Sequence, residues 1–360
     1  MNTKILINQL RDGHDLGQIE ITQILDSKTN PGYLFSQADQ VRTLYCGNAI
    51  HLRAIIEFSN YCRCRCSYCG LNAENTSLIR YRMSSEEILE NAWEAHQAGY
   101  RTIVLQSGED PGYTKTMIAD LIKEIKSLGD VAVTLSLGER DFDEYYLWRK
   151  AGADRYLLKH ETADPILYDK LHPHSTFAGR IKCLQELKRL GYQTGSGFMV
   201  GLPGQTTATI ARDILLLKEL QVDMAGIGPF IPHARTSLAH LPPGSLELTL
   251  KSLAVTRLFL KKVNLPATTA YGVAANDRVL GDGDLSILPI SPFSCGANVL
   301  MKKVEPHRYR SLYDIYPKKP GEERSILEER KEAEAMIIKM KRQVAPGRGD
   351  CFIEYNQHGR

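Results

Sequence analysis

The chain has 360 residues, with 45 basic and 42 acidic side chains and a net charge of +3. No global field therefore recommends nucleic acid or an anionic membrane as a partner, and a small molecule is the default. A hydrophobic content of 43% suffices for one large core, and no apolar run approaches a membrane span. The opening residues lack an apolar signal region, so the expectation is a soluble, cytoplasmic protein.

In chain order, residues 1–50 carry helical patterns around Thr3–Arg11 and Gln18–Ser27, with Asn30-Pro31-Gly32 as a turn. From there short apolar runs alternate with helical stripes: Ala54–Phe58, Thr102–Leu105, Val131–Leu135, Tyr156–Leu158, Phe198–Val200, Met224–Ile227, Leu265–Thr268 and Ala297–Leu300. Such near-continuous runs suit strands buried on both faces. Between them, Ser84 and Glu87 have capping-box spacing, Met117 to Leu128 forms an apolar stripe that Gly129 ends, and Gly152 and Gly191 close two further helices. A doubly wound sheet would show a similar alternation. Eight runs, with polar residues following each, favour a (β/α)8 TIM-type barrel (51–316) carrying an N-terminal helical extension (1–50) and a C-terminal helix and tail (317–360) packed on it.

Eight cysteines could suggest disulfides, but Cys62, Cys64, Cys66 and Cys69 crowd into one short loop after the first strand while Cys46, Cys183, Cys295 and Cys351 are scattered. Clustered thiols suggest a metal. The C-x3-C-x2-C spacing of Cys62, Cys66 and Cys69 can hold three irons of a [4Fe–4S] cubane and leave the fourth open. S-adenosylmethionine (SAM) could chelate that iron through its amino and carboxylate groups. A structural zinc site would more usually draw paired C-x2-C knuckles from separate segments. Cys64 reads as a spectator pointing away, or as a replacement for Cys62 in another register.

With these residues on the page, the chain resembles the radical SAM superfamily and, within it, the HydE family of [FeFe]-hydrogenase maturases. The matching segments keep their order over roughly residues 50–316. They include Glu57-Phe58-Ser59-Asn60, Tyr68-Cys69-Gly70-Leu71, Gln106-Ser107-Gly108-Glu109-Asp110, Gly152-Ala153-Asp154-Arg155-Tyr156, His160-Glu161-Thr162-Ala163, Thr268-Thr269-Ala270 and Cys295-Gly296-Ala297-Asn298. The resemblance implies a barrel of the radical SAM kind and reductive cleavage of SAM to a 5′-deoxyadenosyl radical. Tyr68 would lie against the adenine. Gln106, Ser107 and Gly108 would line the SAM amino-acid side, joined by Thr134 and Ser136. Glu161 would bind the ribose hydroxyls, Arg180 the SAM carboxylate, and Met199 and Ile227 would pack on the nucleoside. Thr268, Thr269, Ala270, Met301, Tyr309 and Tyr313 would face the substrate cavity, with Thr134 close by.

From position alone, a glutamate after a strand is more often a solvated cap, an arginine a surface ion pair and a methionine plain core. The resemblance further implies an organometallic substrate, a small cysteine-bearing iron carbonyl/cyanide complex handed over by another maturase, and a flavodoxin or ferredoxin as reductant. The alternatives are a mutase of the methylornithine synthase type and a non-catalytic iron–sulfur or zinc scaffold. Two departures from the family stand out. No cysteine occurs from Ser325 to Arg342 and Cys351 stands alone, so no auxiliary cluster is expected. Asp277, Asp282 and Asp284 lie among glycines, and Lys302-Lys303-Val304-Glu305-Pro306 stands where relatives carry a neutral segment. Both changes border the substrate end.

Overall fold

The computed structural model describes residues 2–276, 290–317 and 323–351; Asp277, Asp282 and Asp284 lie outside them. All eight expected runs are strands: β1 (Ala49–Ser59), β2 (Thr102–Ser107), β3 (Ala132–Ser136), β4 (Arg155–Leu157), β5 (Gln193–Val200), β6 (Met224–Pro229), β7 (Pro266–Ala267) and β8 (Val299–Lys303). They are parallel and ordered β6-β5-β4-β3-β2-β1-β8-β7. A bridge from Met224 to Asn264, and Thr268 Oγ1 donating to the Ile227 carbonyl at 3.2 Å, draw the two edges together into a nearly closed barrel.

β1 starts five residues before the expected run because a short strand, β9 (Gln343–Val344), pairs with Ala49 and Ile50. Its apolar pattern was broken by His51, Arg53 and Glu57, which alternate onto the barrel's inner face while Ala54, Ile56 and Phe58 pack outward into the core.

Helices α1 (Thr3–Asp12) and α2 (Gln18–Asp26) form as expected, and α3 (Gly32–Cys46) follows them. No helix was expected there. Its N-cap is Pro31, which offers no capping side chain, although Leu34, Phe35, Ala38 and Val41 form a buried stripe. The outer layer runs through α4 (Ser85–Gln97), α5 (Lys115–Ser127), α6 (Phe142–Ala151), α7 (Pro165–Leu171), α8 (Phe177–Arg189), α9 (Thr207–Glu219), α10 (Leu246–Phe259), α11 (Thr269–Asn276), α12 (His307–Arg310) and α13 (Ile326–Lys339). The Ser84–Glu87 capping box is present, each side chain accepting from the other's N–H, at 3.2 and 2.7 Å.

The tail after α13 crosses the end of the barrel where the strands begin. Arg155 donates to the Arg348 carbonyl at 2.8 Å and to Asp350 at 2.6 Å, Thr102 Oγ1 donates to the Arg348 carbonyl at 2.7 Å, and Asn264 donates to the Gly349 carbonyl at 3.0 Å. The loops that follow the strands build the opposite end, where a barrel of this kind places its chemistry. Between the two ends the wall leaves room: a Cβ added at Gly226 would meet nothing nearer than 3.9 Å.

Candidate active site

The loop from Ser59 to Gly70 leaves β1 and is held by its own neighbours. Arg80 donates to the carbonyls of Asn60, Leu71, Asn72 and Asn75 at 2.6, 2.9, 2.7 and 3.3 Å, so one guanidinium gathers both ends of the cysteine segment. Asp110 accepts from Ser59 Oγ at 2.6 Å and from two nitrogens of Arg82 at 2.8 Å each; Arg82 covers the Tyr61 ring at 3.8 Å. Two close backbone approaches need glycine. A Cβ at Gly108 would lie 2.2 Å from the Tyr61 carbonyl, and one at Gly70 2.0 Å from that of Asp314. The loop after β2 is therefore pressed against the first cysteine.

Cys62, Cys66 and Cys69 are half-buried along this loop. The Glu109 N–H donates to Cys62 Sγ at 3.4 Å, and His174 Nε2 lies 3.8 Å from Cys66 Sγ. Hydrogen bonding to Cys64 and burial push the Cys62 thiol up, and burial first, then the neighbouring Cys62, pushes Cys69 up to about 12. Such thiols keep their protons until a metal displaces them. Cys64 does not point away. It is buried, with the side chains of Cys62 and Cys66 as its neighbours. Among the described residues no three His, Cys, Asp or Glu side chains gather as they would around a single ion. A cubane spreads its thiolates over three different irons.

Tyr68 and Met199 come together in a small apolar cluster with Leu167, Leu171, Leu202 and Phe230. The Tyr68 hydroxyl is 2.8 Å from His172 Nε2, and His172 Nδ1 is 2.8 Å from the Tyr168 carbonyl; since a carbonyl only accepts, Nδ1 carries the proton and Nε2 accepts from Tyr68. Glu161 sits at φ 63°, a left-handed conformation costing about 1–3 kcal/mol in a residue with a Cβ, held because its N–H donates to Gly197 at 3.0 Å and its carbonyl accepts from Met199 at 3.1 Å. Burial works against the Glu161 carboxylate, but Lys159 at 3.0 Å, His172 and Arg180 outweigh it and hold its pKa down. Arg180 donates Nε to the Tyr168 hydroxyl at 2.8 Å and Nη1 to the Lys159 carbonyl at 3.2 Å, and stands in an ion pair with Glu139 at 2.7 Å.

The remaining expected residues divide. Ser107 Oγ donates to the Gly108 carbonyl at 2.6 Å beside the cysteine loop. Gln106 turns away from it, donating to Glu57 at 3.4 Å and meeting Tyr313. Thr134 is buried in the barrel and its hydroxyl has no partner; Ser136 ends the same strand beside Gln106. Ile227 packs in the main core, apart from the Tyr68–Met199 cluster. Thr268 and Ala270 face Gly228, within 3.1 and 3.3 Å of where its Cβ would be, and Thr269 opens α11. Met301 lies on β8 opposite Arg53, and Tyr313 is buried near Lys303. Tyr309 stacks on Tyr81 at 4.6 Å and donates to Glu87 on α4 at 2.8 Å.

Residues 56–217, which begin within β1 and end in α9, match the family model of the radical SAM superfamily. The [FeFe] hydrogenase maturase subunit HydE of Thermotoga maritima is 54% identical over 286 residues, covering 79% of this chain and 79% of that one. The chain belongs to the HydE family of radical SAM enzymes. 3-Methylornithine synthase of Methanosarcina acetivorans is 32% identical over 68% of this chain and 70% of its own. The crystal structure of methylornithine synthase (PylB) superposes with a TM-score of 0.79 at 26% identity over 94% of this chain and 97% of that one. The fold and the superseded alternatives are thereby fixed: a radical SAM barrel, not a doubly wound sheet or a zinc scaffold. Family membership brings a [4Fe–4S] cluster and SAM as cofactors. The residues present fit them, with three thiols on one pinned loop, a glycine at its closest contact and a backbone N–H already aimed at the first sulfur. No helix among the described residues is long and apolar enough to cross a membrane.

Sequence reasoning missed several members of this HydE-type site. Arg80 carried no motif, and Arg82 was legible only within the matching segment Tyr81-Arg82-Met83, with no role attached. His172, Tyr168 and Glu139, which orient Tyr68 and Arg180, lie far from them in sequence and only the fold unites them. Glu57 was legible as part of a matching segment but not as a group in the cavity.

Proposed function

We propose that this HydE-family enzyme serves [FeFe]-hydrogenase maturation, acting on a small iron carbonyl/cyanide complex that carries cysteine. Another maturase would hand over the complex, and flavodoxin or ferredoxin in the cytoplasm would supply the electron. One observation carries the reading: at 54% identity the likeness to the Thermotoga protein runs over 286 residues, well beyond the 56–217 stretch that the radical SAM family model matches. When bound, the cluster supplies the electron that breaks a C–S bond of SAM and releases a 5′-deoxyadenosyl radical.

The chain's own side chains hold and exclude. Cys62, Cys66 and Cys69 would bind the irons. Tyr68 and Met199 offer an apolar wall for the adenine, and Glu161, its carboxylate held ionised, accepts from ribose hydroxyls. Arg180, fixed by Tyr168 and Glu139, presents the rest of its guanidinium to the SAM carboxylate. Ser107, Gly108, Thr134 and Ser136 close the side next to it, and Thr268, Thr269, Ala270, Met301 and Tyr313 bound the substrate.

The test is anaerobic reconstitution followed by dithionite, SAM and the cysteine-ligated iron complex, with chromatography for 5′-deoxyadenosine. Release that rises on adding the complex supports the reading, and iron content near that of one cubane agrees with the expected lack of an auxiliary cluster. Release that ignores the complex but rises with an amino acid that is rearranged would move the assignment to a mutase, the reading that the methylornithine synthase likeness favours.

A further inference from the structure

On the inner wall where β1 meets β8, three charged side chains stand in the barrel. Glu57 and Lys303 form an ion pair, and Gln106 donates to the other Glu57 oxygen at 3.4 Å. Glu305 follows two residues after the end of β8, beside the same Glu57. It is fully buried, one oxygen accepts from the Glu57 N–H at a long 3.5 Å, and the other, Oε1, has no hydrogen-bond partner. The neighbouring Lys302 takes the opposite face and is spent on Glu329 of α13 at 2.7 Å, and Arg310 joins the same glutamate at 2.9 Å while donating to the Glu305 backbone carbonyl at 2.9 Å.

Two buried carboxylates thus share one ammonium, in a place where an unmatched polar atom is costly. The set also adjoins the reactive end. Tyr313 has Lys303 Nζ 5.8 Å from its ring centroid and hydrogen-bonds Gln106, which ends β2 one residue before Ser107. Around Glu305 the other titratable groups are Tyr81, whose hydroxyl bonds the Glu57 carbonyl, and Arg310. Burial first, then the Glu57 charge, pushes the Glu305 carboxyl up against the pull of Lys303 and Arg310. A group so poised gains most from a donor brought to it.

We propose that Glu305, positioned by Glu57 and Lys303, is a specificity-determining residue that accepts a hydrogen bond from the amino group of an amino-acid-bearing substrate. This rests on the proposed function, which supplies a cysteine-bearing substrate. The free Glu305 oxygen takes the amino N–H, and the Glu57–Lys303 pair keeps the two carboxylates from repelling that arrangement apart. A substrate without an amino group leaves the oxygen unmatched and is discriminated against.

The experiment compares two synthetic complexes on the reconstituted holoenzyme, the same iron carbonyl/cyanide fragment carrying either cysteine or 3-mercaptopropionate, which lacks the amino group. The readout is KM and kcat for stimulated release of 5′-deoxyadenosine. Wild type is expected to show a KM about ten- to hundredfold lower for the cysteine complex, the range of one hydrogen bond to a charged group. Glu305→Met, which has no oxygen acceptor, should erase that difference by raising KM for the cysteine complex alone, with kcat little changed and iron per chain at the wild-type value; Glu305→Asp should restore part of it. Equal KM values for the two complexes on wild type overturn the inference, a result that needs no variant to fold. So does a Glu305→Met enzyme that still discriminates. If neither complex stimulates wild type, the proposed function itself has failed and the inference falls with it.

Discussion

The two sides of the barrel mouth are built by different means. On the cysteine side, geometry comes from the backbone: Arg80 ties four carbonyls, Gly108 and Gly70 admit close contacts, and the Glu109 N–H points at a sulfur. The charges there are matched, Lys159 with Glu161 and Arg180 with Glu139. On the β8 side, geometry comes from side chains, and Glu57, Lys303 and Glu305 leave one carboxyl oxygen unmatched. A backbone-built site survives surface and neighbour substitutions and so keeps one chemistry. A side-chain-built wall can be rewritten by two or three replacements, which is how one barrel can serve several substrates.

The hardest blow to that comparison is dealt at the thiols. Cys66→Ala should abolish both cluster assembly and SAM cleavage, whereas Cys64→Ala should leave both, measured by iron content and 5′-deoxyadenosine. The structure makes the second half demanding, because Cys64 touches Cys62 and Cys66. A dead Cys64→Ala enzyme would show that the cysteine side too depends on a side chain behind the ligands.

The sequence made the cysteine side readable for the same reason that makes it robust. Spacing within one loop is a local property, and C-x3-C-x2-C survives into the structure as three thiols on one pinned segment. All eight strands were legible because strands buried on both faces leave continuous apolar runs; β1 and β5 each begin five residues before the expected run, β1 where His51 and Arg53 line the interior and β5 where Gln193 to Gly197 are polar or small. α3 was missed because nothing caps it. The roles of Arg180 and Gln106 depend on partners contributed by other strands and helices, Glu139 and Tyr168 in one case and Glu57 and Tyr313 in the other. No pattern along the chain announces such pairs. The charged segment at Lys302–Glu305 was visible as a departure, but its meaning appeared only when β8 placed it opposite Glu57.

A smaller effect tests how the cysteine side is supported from beneath. Burial, then the charge of Arg180, lowers the His172 pKa to about 4, and the neutral ring accepts from Tyr68. A histidine depressed below its unfolded value of about 6.5 favours the folded state fully above that pH, and loses the advantage as pH falls toward 4. Urea unfolding at pH 7 and pH 5 should show wild type losing about 2 kcal/mol more than His172→Gln from this group, from the pKa difference at 1.36 kcal/mol per unit. His51, lowered to about 4 by burial and Arg53, adds its own slope to both proteins and cancels in the difference. Equal acid sensitivity in the two proteins would mean that the ring titrates folded as it does unfolded, and that neither burial nor Arg180 holds it neutral for Tyr68.

The smallest effect belongs to the β8 side. Ser325 caps α13, accepting from the Glu328 N–H at 3.3 Å while Glu328 accepts from the Ser325 N–H at 2.8 Å. Glu329, one residue further on, anchors Lys302 and Arg310 and so fixes both ends of the segment that carries Lys303 and Glu305. Ser325→Ala should cost about 1 kcal/mol of stability, the usual loss for an N-cap. If the two sides are separately built, the slackened helix should raise KM for the iron complex by a few-fold while SAM cleavage without substrate keeps its rate, since Arg80 and Gly108 are held by the cysteine loop and Tyr68 by His172. A matching drop in unstimulated cleavage would show that the strand pair β1–β8 transmits strain from the wall to the cysteine loop. β1 is the element that makes this outcome decisive, because it carries Glu57 at its inner face and ends at Ser59, where the cysteine loop begins.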